Sequence, residues 1–158
     1  MKHTISAIVE NKPGVLARIS GLFSARGYNI VSLAVSETLD PSISYLTMVV
    51  SADDEKILEQ IKKQLHKLID VIKITDFTKK EHAERELVLA KVHCPPKEKA
   101  RLEKVMAKYN ARLIKHREGL AIINAVGEQD EIKELLNALA QFGIKELART
   151  GKLAISLD

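Results

Sequence analysis

Residues 11–16 read Asn11-Lys12-Pro13-Gly14-Val15-Leu16 and join an apolar strand pattern to a helical one. The strand pattern covers Ile5 to Val9, and the helical pattern runs to about Ala25. Pro13 fixes its φ angle and stiffens the turn, while Gly14 permits a positive φ or the close approach of a ligand. A helix that begins at such a turn presents free N–H groups and the positive end of its dipole. The turn predicts a site for a carboxylate, although an ordinary strand-to-helix turn carries the same residues.

The remainder of the first half continues this alternation of strand and helix. Apolar residues alternate over residues 28–35 and 43–50, and a helical stripe follows the acidic residues 53–55. Residues 71–77 then alternate as a fourth strand. The order β-α-β-β-α-β is typical of a ferredoxin-like domain, with a four-stranded antiparallel sheet and two helices on one face.

The second half repeats the same order. Its predicted elements are strands over 86–93, 111–116 and 120–126, one or two strands over 144–157, a helix over 97–109 and a helix capped by Asp130. The predicted fold class is therefore α+β, with two tandem ferredoxin-like βαββαβ domains whose antiparallel sheets carry helices on one face. The predicted boundaries are 1–77 for the first domain, 78–85 for a polar linker and 86–158 for the second domain.

The two halves differ at the start of their first helix. The second half has Pro95-Pro96-Lys97-Glu98 where the first has the glycine turn, so the prediction of an anion site applies to the first half only. Charge differs as well. Residues 1–76 hold nine basic and nine acidic residues, so the net charge of +4 of the 158-residue chain lies in the second half.

Composition bounds the class of protein. The chain is 46% hydrophobic and 29% charged, which is typical of a folded domain. No apolar run reaches the roughly 18 residues of a membrane span. The sequence enters a strand pattern directly, without a targeting peptide, and it has one cysteine, Cys94. These features predict a cytoplasmic protein with no internal disulfide and no membrane partner.

Catalytic and metal-binding patterns are not found. Cys94 follows His93, but neighbouring strand residues point to opposite faces and cannot act on one ligand. The five histidines show no paired spacing for a metal, and no phosphate-binding glycine motif occurs. We therefore predict no catalytic residue and no metal ligand on this chain.

A basic stripe is the remaining candidate for binding. It consists of Lys97, Arg101, Lys104 and Lys108, extended by Arg112, Lys115 and Arg117. A solvated helix face explains it at least as well as a binding role does. If it binds, a protein partner is preferred to RNA, because the stacking aromatics of RNA-binding sheets are absent.

Residues 5–33 strongly resemble the start of an ACT domain, in particular that of acetohydroxyacid synthase (acetolactate synthase) small regulatory subunits. The segment Arg26-Gly27-Tyr28-Asn29-Ile30 and residues 60–68 support the narrower match. The resemblance covers the whole chain and is most specific in the first half.

The resemblance implies a regulatory role without catalysis. Members of that family bind and activate a large catalytic subunit and confer feedback inhibition, usually by valine, in the biosynthesis of valine, leucine and isoleucine. Thiamine diphosphate, magnesium and FAD are expected on that catalytic partner, and no cofactor is expected on this chain. The effector lies between the ACT domains of a homodimer, and leucine or isoleucine are alternatives to valine. The implied effector site comprises Asn11, Lys12, Pro13, Gly14, Val15 and Leu16 of one chain with Asn29 and Ile30 of the other.

Two other functions remain open at this point. One is a free-standing ACT amino-acid sensor that regulates another enzyme or a transcription factor. The other is an RNA-binding module that uses residues 97–117, and a steep salt dependence of RNA binding would distinguish it.

Overall fold

A computed structural model describes all of residues 1–158. It contains nine strands, four α-helices and a 3₁₀ turn over Pro96–Glu98. In chain order the elements are β1 Lys2–Glu10, α1 Val15–Ser24, β2 Asn29–Glu37, β3 Ile43–Ser51, α2 Glu55–Leu65, β4 Val71–Asp76, β5 His82–His93, α3 Lys99–Lys108, β6 Arg112–Arg117, β7 Leu120–Gly127, α4 Gln129–Ala140, β8 Ile144–Arg149 and β9 Leu153–Ser156. None of the helices combines the length and the apolar character needed to cross a membrane.

The chain folds as two compact units. The first contains residues 1–83 together with 152–158, and the second contains residues 84–151. The first sheet has the strand order β2-β3-β1-β4, and the second has the equivalent order β6-β7-β5-β8. All of these neighbours pair antiparallel. The predicted fold class, two ferredoxin-like βαββαβ units with helices on one face of each sheet, is confirmed.

The core of the first unit lies between its sheet and helices α1 and α2. Alternate residues of β1 and β3 point to the helices because strand side chains alternate between faces. The helices supply their apolar stripes at helical spacing. The fully or nearly buried members of this core are Ile5, Ala7, Val9, Val15, Ile19, Phe23, Leu46, Met48, Val50, Ala52, Leu58, Ile61 and Leu65.

The opposite face of the first sheet is partly covered by β9. Tyr45 and Thr47 alternate with core residues of β3 and therefore lie on this face. The Tyr45 hydroxyl donates to the Ala154 carbonyl at 2.7 Å, and the Ala154 N–H donates to Thr47 Oγ1 at 3.4 Å. Ala154 is buried. The first unit is thus completed by residues more than 100 positions away in sequence.

The second unit has its own core between its sheet and helices α3 and α4. Its buried residues include Val88, Ala90 and Val92 of β5. At the edge of this core the buried Glu86 carboxylate accepts two hydrogen bonds from Arg149, at 2.6 and 3.0 Å. The bidentate pair satisfies a carboxylate that would otherwise be costly to bury.

The structure differs from the predicted boundaries in three places. Strand β5 begins at His82, inside the segment predicted as a linker, because backbone pairing defines the strand while the side chains at 82–84 are only partly buried. The predicted last strand divides into β8 and β9, and β9 belongs to the first unit. The cap of α4 is Glu128 instead of Asp130, in a reciprocal capping box with Glu131.

Asp76 at the end of β4 provides a test of the first unit's stability. Its carboxylate accepts from the Thr78 N–H at 2.9 Å and from Lys62 Nζ at 3.0 Å. Burial raises the pKa of Asp76, but the hydrogen bonds from Thr78 and Lys62 together lower it by more than burial raises it. The pKa therefore lies below the ordinary value of 3.8. A carboxyl with a depressed folded pKa stabilises the protein above its unfolded pKa and loses this contribution as the pH falls through the folded value.

We therefore expect Asp76→Asn to lower the free energy of unfolding at pH 7 by about 1 kcal/mol. The difference from the wild-type chain should narrow as the pH falls from 3.8 through the lower pKa of Asp76 in the folded chain. Urea unfolding at pH 7 and in acid measures both effects. The exposed Asp53→Asn is the control and should change stability by less than about 0.5 kcal/mol. An equal loss of unfolding free energy in Asp76→Asn at both pH values would contradict the depressed pKa of Asp76.

Candidate functional site

The turn between β1 and α1 holds the predicted glycine in a left-handed conformation. Gly14 has φ +85° and ψ −8° and occupies the N-cap position of α1. Its carbonyl accepts the Arg18 N–H at 2.9 Å, and the Lys12 carbonyl accepts the Val15 N–H at 3.3 Å. Residues with a Cβ rarely adopt this φ, so the turn geometry depends on glycine.

The start of α1 carries no side-chain cap. In contrast, the Asp54 carboxylate accepts the Ile57 N–H at 2.8 Å at the start of α2, and α4 begins with a capping box. The N–H groups of Leu16 and Ala17 therefore have no acceptor within the helix. Together with the helix dipole they form a surface that favours a carboxylate.

Two further segments hold the turn in place. The Asn11 side-chain amide donates to the Pro41 carbonyl at 2.8 Å, and the Asn11 N–H donates to the Ser42 carbonyl at 2.7 Å. The Glu10 N–H donates to the Asp70 carbonyl at 2.9 Å. Asn11 is a predicted effector contact, and the structure shows that its amide also fixes the turn to the β2–β3 connection.

Arg18 contributes a positive charge that the sequence motif did not reveal. Its guanidinium binds the Asp70 carboxylate, with Nε and Nη2 at 2.9 and 2.6 Å from Oδ2. The Asp70 side chain is only 9% exposed, whereas that of Arg18 is 49% exposed. A Cβ built on Gly14 would lie 3.1 Å from Arg18 Nη1, which places the guanidinium directly beside the turn. The sequence did offer one signal for this contact, because Arg18 follows Gly14 by four residues and such residues lie on the same face of a helix.

The other predicted residues of this segment divide by charge and burial. Lys12 is exposed and donates from Nζ to Glu10 Oε2 at 2.6 Å, and this hydrogen bond to the Glu10 carboxylate raises the pKa of Lys12. Val15 is buried in the core, whereas Pro13 and Leu16 are exposed. Leu16 therefore offers an apolar contact beside the backbone donors.

Asn29 and Ile30 lie at the opposite end of the sheet from the turn. Asn29 is exposed and pairs with Ser51, whereas Glu10, the last residue before the turn, pairs with Ile43. Eight residues of β3 separate these positions, which corresponds to about 27 Å. Within one chain the structure does not bring the two predicted halves of the site together.

We expect Arg18→Ala to weaken both the turn and the fold. Removing Arg18 leaves the nearly buried Asp70 carboxylate without its cation, which should lower the free energy of unfolding by about 1–2 kcal/mol. It also removes positive charge beside Gly14, so we expect about tenfold weaker amino-acid binding. Urea unfolding and calorimetry measure the two effects. Lys63→Ala removes an exposed charge from α2 and serves as the control. If Arg18→Ala had the same stability and the same amino-acid affinity as this control, the proposed role of Arg18 in the fold and in binding would be wrong.

Neither a reactive thiol nor a metal-binding cluster is found elsewhere in the structure. Cys94 is fully buried, and burial raises the pKa of its thiol, which disfavours the reactive thiolate. The structure shows no group of three or more His, Cys, Asp or Glu side chains arranged to hold a metal ion.

Comparison with known proteins identifies the family. The model of the AHAS small subunit-like ACT domain matches residues 5–73, and that of the small subunit of acetolactate synthase matches residues 85–158. The chain is 46% identical to the "Probable acetolactate synthase small subunit" of Archaeoglobus fulgidus, covering 98% of this chain and 96% of the relative. It is 38% identical to the acetolactate synthase small subunit of Bacillus subtilis, covering 99% and 91%.

A solved structure agrees with this result. The crystal structure of the acetolactate synthase small subunit from Thermotoga maritima superposes with a TM-score of 0.88 at 35% identity, covering 99% of this chain and 97% of that one. The likeness thus extends over both units and over the fold as well as the sequence. The chain belongs to the family of acetolactate synthase small subunits.

Proposed function

We propose that this chain is the regulatory subunit of an acetolactate synthase and binds a branched-chain amino acid, with valine as the first candidate. It activates the catalytic subunit and confers feedback inhibition on it. The observation that carries the proposal is the β1–α1 turn, where a left-handed Gly14, an uncapped helix start and the Arg18 guanidinium come together.

The chemistry of the turn fits an apolar amino acid. The N–H groups at the start of α1 and the nearby Arg18 suit the carboxylate. The exposed Leu16 and Pro13 provide apolar surface for a small branched side chain. Valine, leucine and isoleucine differ by one methylene or by branching, worth about 1–3 kcal/mol in a pocket, so the choice among them depends on the second wall of the site.

The partner chain supplies that second wall in our proposal. Strand β2 is an edge of the first sheet, so its outer backbone groups can pair with another strand. Antiparallel pairing of two β2 edges around a two-fold axis brings the start of one β2 beside the end of the other. Asn29 and Ile30 of one chain then approach the end of the partner sheet that carries its Gly14 turn. This arrangement unites the two halves of the site, which are about 27 Å apart within one chain.

Control of the catalytic subunit follows from coupling between two sites. Effector bound between two first units stabilises one arrangement of the pair, and that arrangement alters the contact with the catalytic subunit. The coupling is reciprocal, so the catalytic subunit must change effector affinity by the same factor. Because Asn11 ties the turn to the β2–β3 connection, a change at the turn reaches a second surface segment directly.

Titration calorimetry of the purified chain with valine, isoleucine and leucine tests the binding step. The proposal expects saturable binding of at least one of them, at about one site per chain. Titration in the presence of the catalytic subunit tests the coupling, and an activity assay of the reconstituted enzyme tests activation and inhibition. Absence of binding to all three, both alone and with the catalytic subunit, would overturn the effector assignment. Activity unaffected by the chain would overturn the regulatory role and would favour a free-standing amino-acid sensor.

A further inference from the structure

The second sheet leaves its face opposite α3 and α4 exposed, with an apolar centre. Residues of β5 and β7 that point away from the helices form this centre, and several are more than a third exposed, such as Leu87 at 36%, Leu89 at 39% and Val126 at 56%. Two shallow depressions lie on the face, one lined by Lys91, Lys115, Arg117, Glu118, Leu120 and Ile122 and the other by Leu89, Ala90, Lys91, Ile122, Glu146 and Ala148. We call this surface the open face.

The charged residues of the open face lie on its two edge strands, basic on β6 and acidic on β8, and at Lys91 on the central strand β5. The strand register aligns Lys115, Ile122, Lys91 and Glu146 in one row across β6, β7, β5 and β8. The β6 edge also carries Arg112 and Arg117, of which Arg117 pairs with Glu118. Lys115 has no ion-pair partner in its own chain. Glu146 binds Lys91, and the hydrogen bond from Lys91 lowers the pKa of the Glu146 carboxyl.

This pattern distinguishes the two ways in which a two-fold axis can stack two such faces. An axis perpendicular to the strands places β6 on β6 and brings the basic edges together, which is repulsive. An axis parallel to the strands places β6 on β8 and β7 on β5. In that arrangement Lys115 lies over Glu146 of the second copy, Ile122 lies over Lys91, and Val126 lies over Leu87, so no like charges meet within the row. The charge pattern of the face is therefore complementary to itself in one orientation only.

We infer that the open face packs against the open face of a second copy of this chain, with the two-fold axis parallel to the strands and a Lys115–Glu146 contact at each edge. Aligned sheet-on-sheet packing of this kind is a common way to bury an apolar sheet face. The inference uses residues of the second unit only and does not depend on the proposed effector site.

The size of the face determines what the contact does. Four strands about 4.8 Å apart and about 20 Å long give roughly 400 Å² of flat area per copy. A stable interface of standard size buries about 800 Å² per partner. We therefore expect this contact to act beside another interface between copies, and the test must detect the contact itself instead of the overall oligomeric state alone.

Carbodiimide treatment of the full chain provides that test, because the reagent joins an amine and a carboxylate only when they touch. Within one chain Lys115 and Glu146 are three strands apart, about 14 Å, so a bond between them must join two chains. Lys91 and Glu146 are in contact within one chain and give an internal positive control. The expected result is a covalent dimer whose peptides contain the Lys115–Glu146 linkage, together with the Lys91–Glu146 product.

Two substitutions make the test specific without removing either reacting group. Ile122→Asn places a polar amide at the centre of the open face and should reduce the Lys115–Glu146 linkage at least about tenfold. Leu113→Asn, on the same sheet, replaces an exposed residue that pairs with the core residue Ile123 and so lies on the other face. It should leave the linkage unchanged. Retention of the Lys91–Glu146 product shows that each variant remains folded.

A charge exchange completes the experiment. Lys115→Glu alone leaves two carboxylates and Glu146→Lys alone leaves two amines at positions 115 and 146, so the reagent can join neither pair and both variants serve as blanks. The two substitutions combined on one chain restore opposite charges there, and the linkage between these positions should return in the covalent dimer.

Three results would overturn the inference. The first is absence of the Lys115–Glu146 linkage in the wild-type chain when the Lys91–Glu146 product is present. The second is equal linkage in Ile122→Asn and the wild-type chain. The third is linkage of Lys115 to an added catalytic subunit in place of a second copy.

Discussion

Replacing Gly14 with aspartate is expected to abolish amino-acid binding and make the reconstituted enzyme insensitive to feedback, while the chain still activates the catalytic subunit. The aspartate carboxylate would occupy the position proposed for the carboxylate of the effector, at the start of α1. Like charges facing each other at a binding site cost several kcal/mol, so binding should weaken by more than about 100-fold. The Cβ would also approach Arg18 Nη1 to 3.1 Å and draw the guanidinium from Asp70.

A matched control separates this effect from backbone strain. Gly143 in the second unit also has a positive φ, +78°, and a Cβ there would meet only the Cβ of His93, at 3.9 Å. Gly143→Asp therefore introduces the same side chain under the same conformational cost of about 1 kcal/mol. Calorimetry and the feedback assay should show normal valine response for Gly143→Asp and none for Gly14→Asp. A Gly14→Asp chain that remained fully sensitive to valine would disprove the location of the site.

Mixing two inactive variants is expected to restore binding if each site is shared between two chains. Gly14→Asp disables the turn, and Asn29→His disables the start of β2 through added bulk and loss of the amide. Each variant alone should bind no effector. In a mixed dimer one site combines both substitutions, and the other combines an intact turn with an intact β2 start. An equal mixture in which subunits exchange freely should therefore recover about a quarter of the wild-type sites.

This recovery is diagnostic because the structure places the two segments at opposite ends of one sheet. Calorimetry after coexpression of the two variants counts the restored sites, and each variant coexpressed with itself is the control. A double variant that carries both substitutions on one chain, coexpressed with the wild-type chain, should give the same number of intact sites from a different distribution. Failure of the two single variants to complement each other, with dimers present, would show that the site lies within one chain.

The fold was predictable from the sequence because its signals are local and repeated. The change from alternating to helical period after Val9, the glycine at the turn and the apolar stripes of α1 and α2 each depend on neighbouring residues. The second half repeats the same order of strands and helices, so the local patterns and the two-domain architecture supported one another. These signals placed most helices and strands within a few residues of their observed bounds.

The contacts that support the candidate site were less predictable because the partners are distant in sequence. The Arg18–Asp70 pair joins residues 52 positions apart, and the Asn11–Pro41 hydrogen bond spans 30. Neither residue pair has a spacing that distinguishes it from ordinary surface charge or turn residues. The sequence therefore indicated where the turn lies but not what supports it.

The extents of the two compact units in the structure depend on contacts of the same distant kind. Residues 82–85 are polar except for Ala83, and they lack the apolar alternation that signals a strand. The strand signal of β9 was present, but its position beside Tyr45 and Thr47 depends on contacts that cross more than 100 residues. The pattern within one short segment predicts a strand, but it does not predict which distant residues that strand will contact.

The placement of β9 affects the order in which the chain can fold during synthesis. The first unit is discontinuous, since residues 152–158 complete it after the whole second unit has been made. The sheet face at Tyr45 and Thr47 therefore stays uncovered until β9 is synthesised, about 100 residues later. Ribosomes add roughly 5–20 residues per second. Throughout that interval of several seconds the nascent first unit exposes a surface that the finished protein covers. That surface is therefore open to other proteins before β9 reaches it.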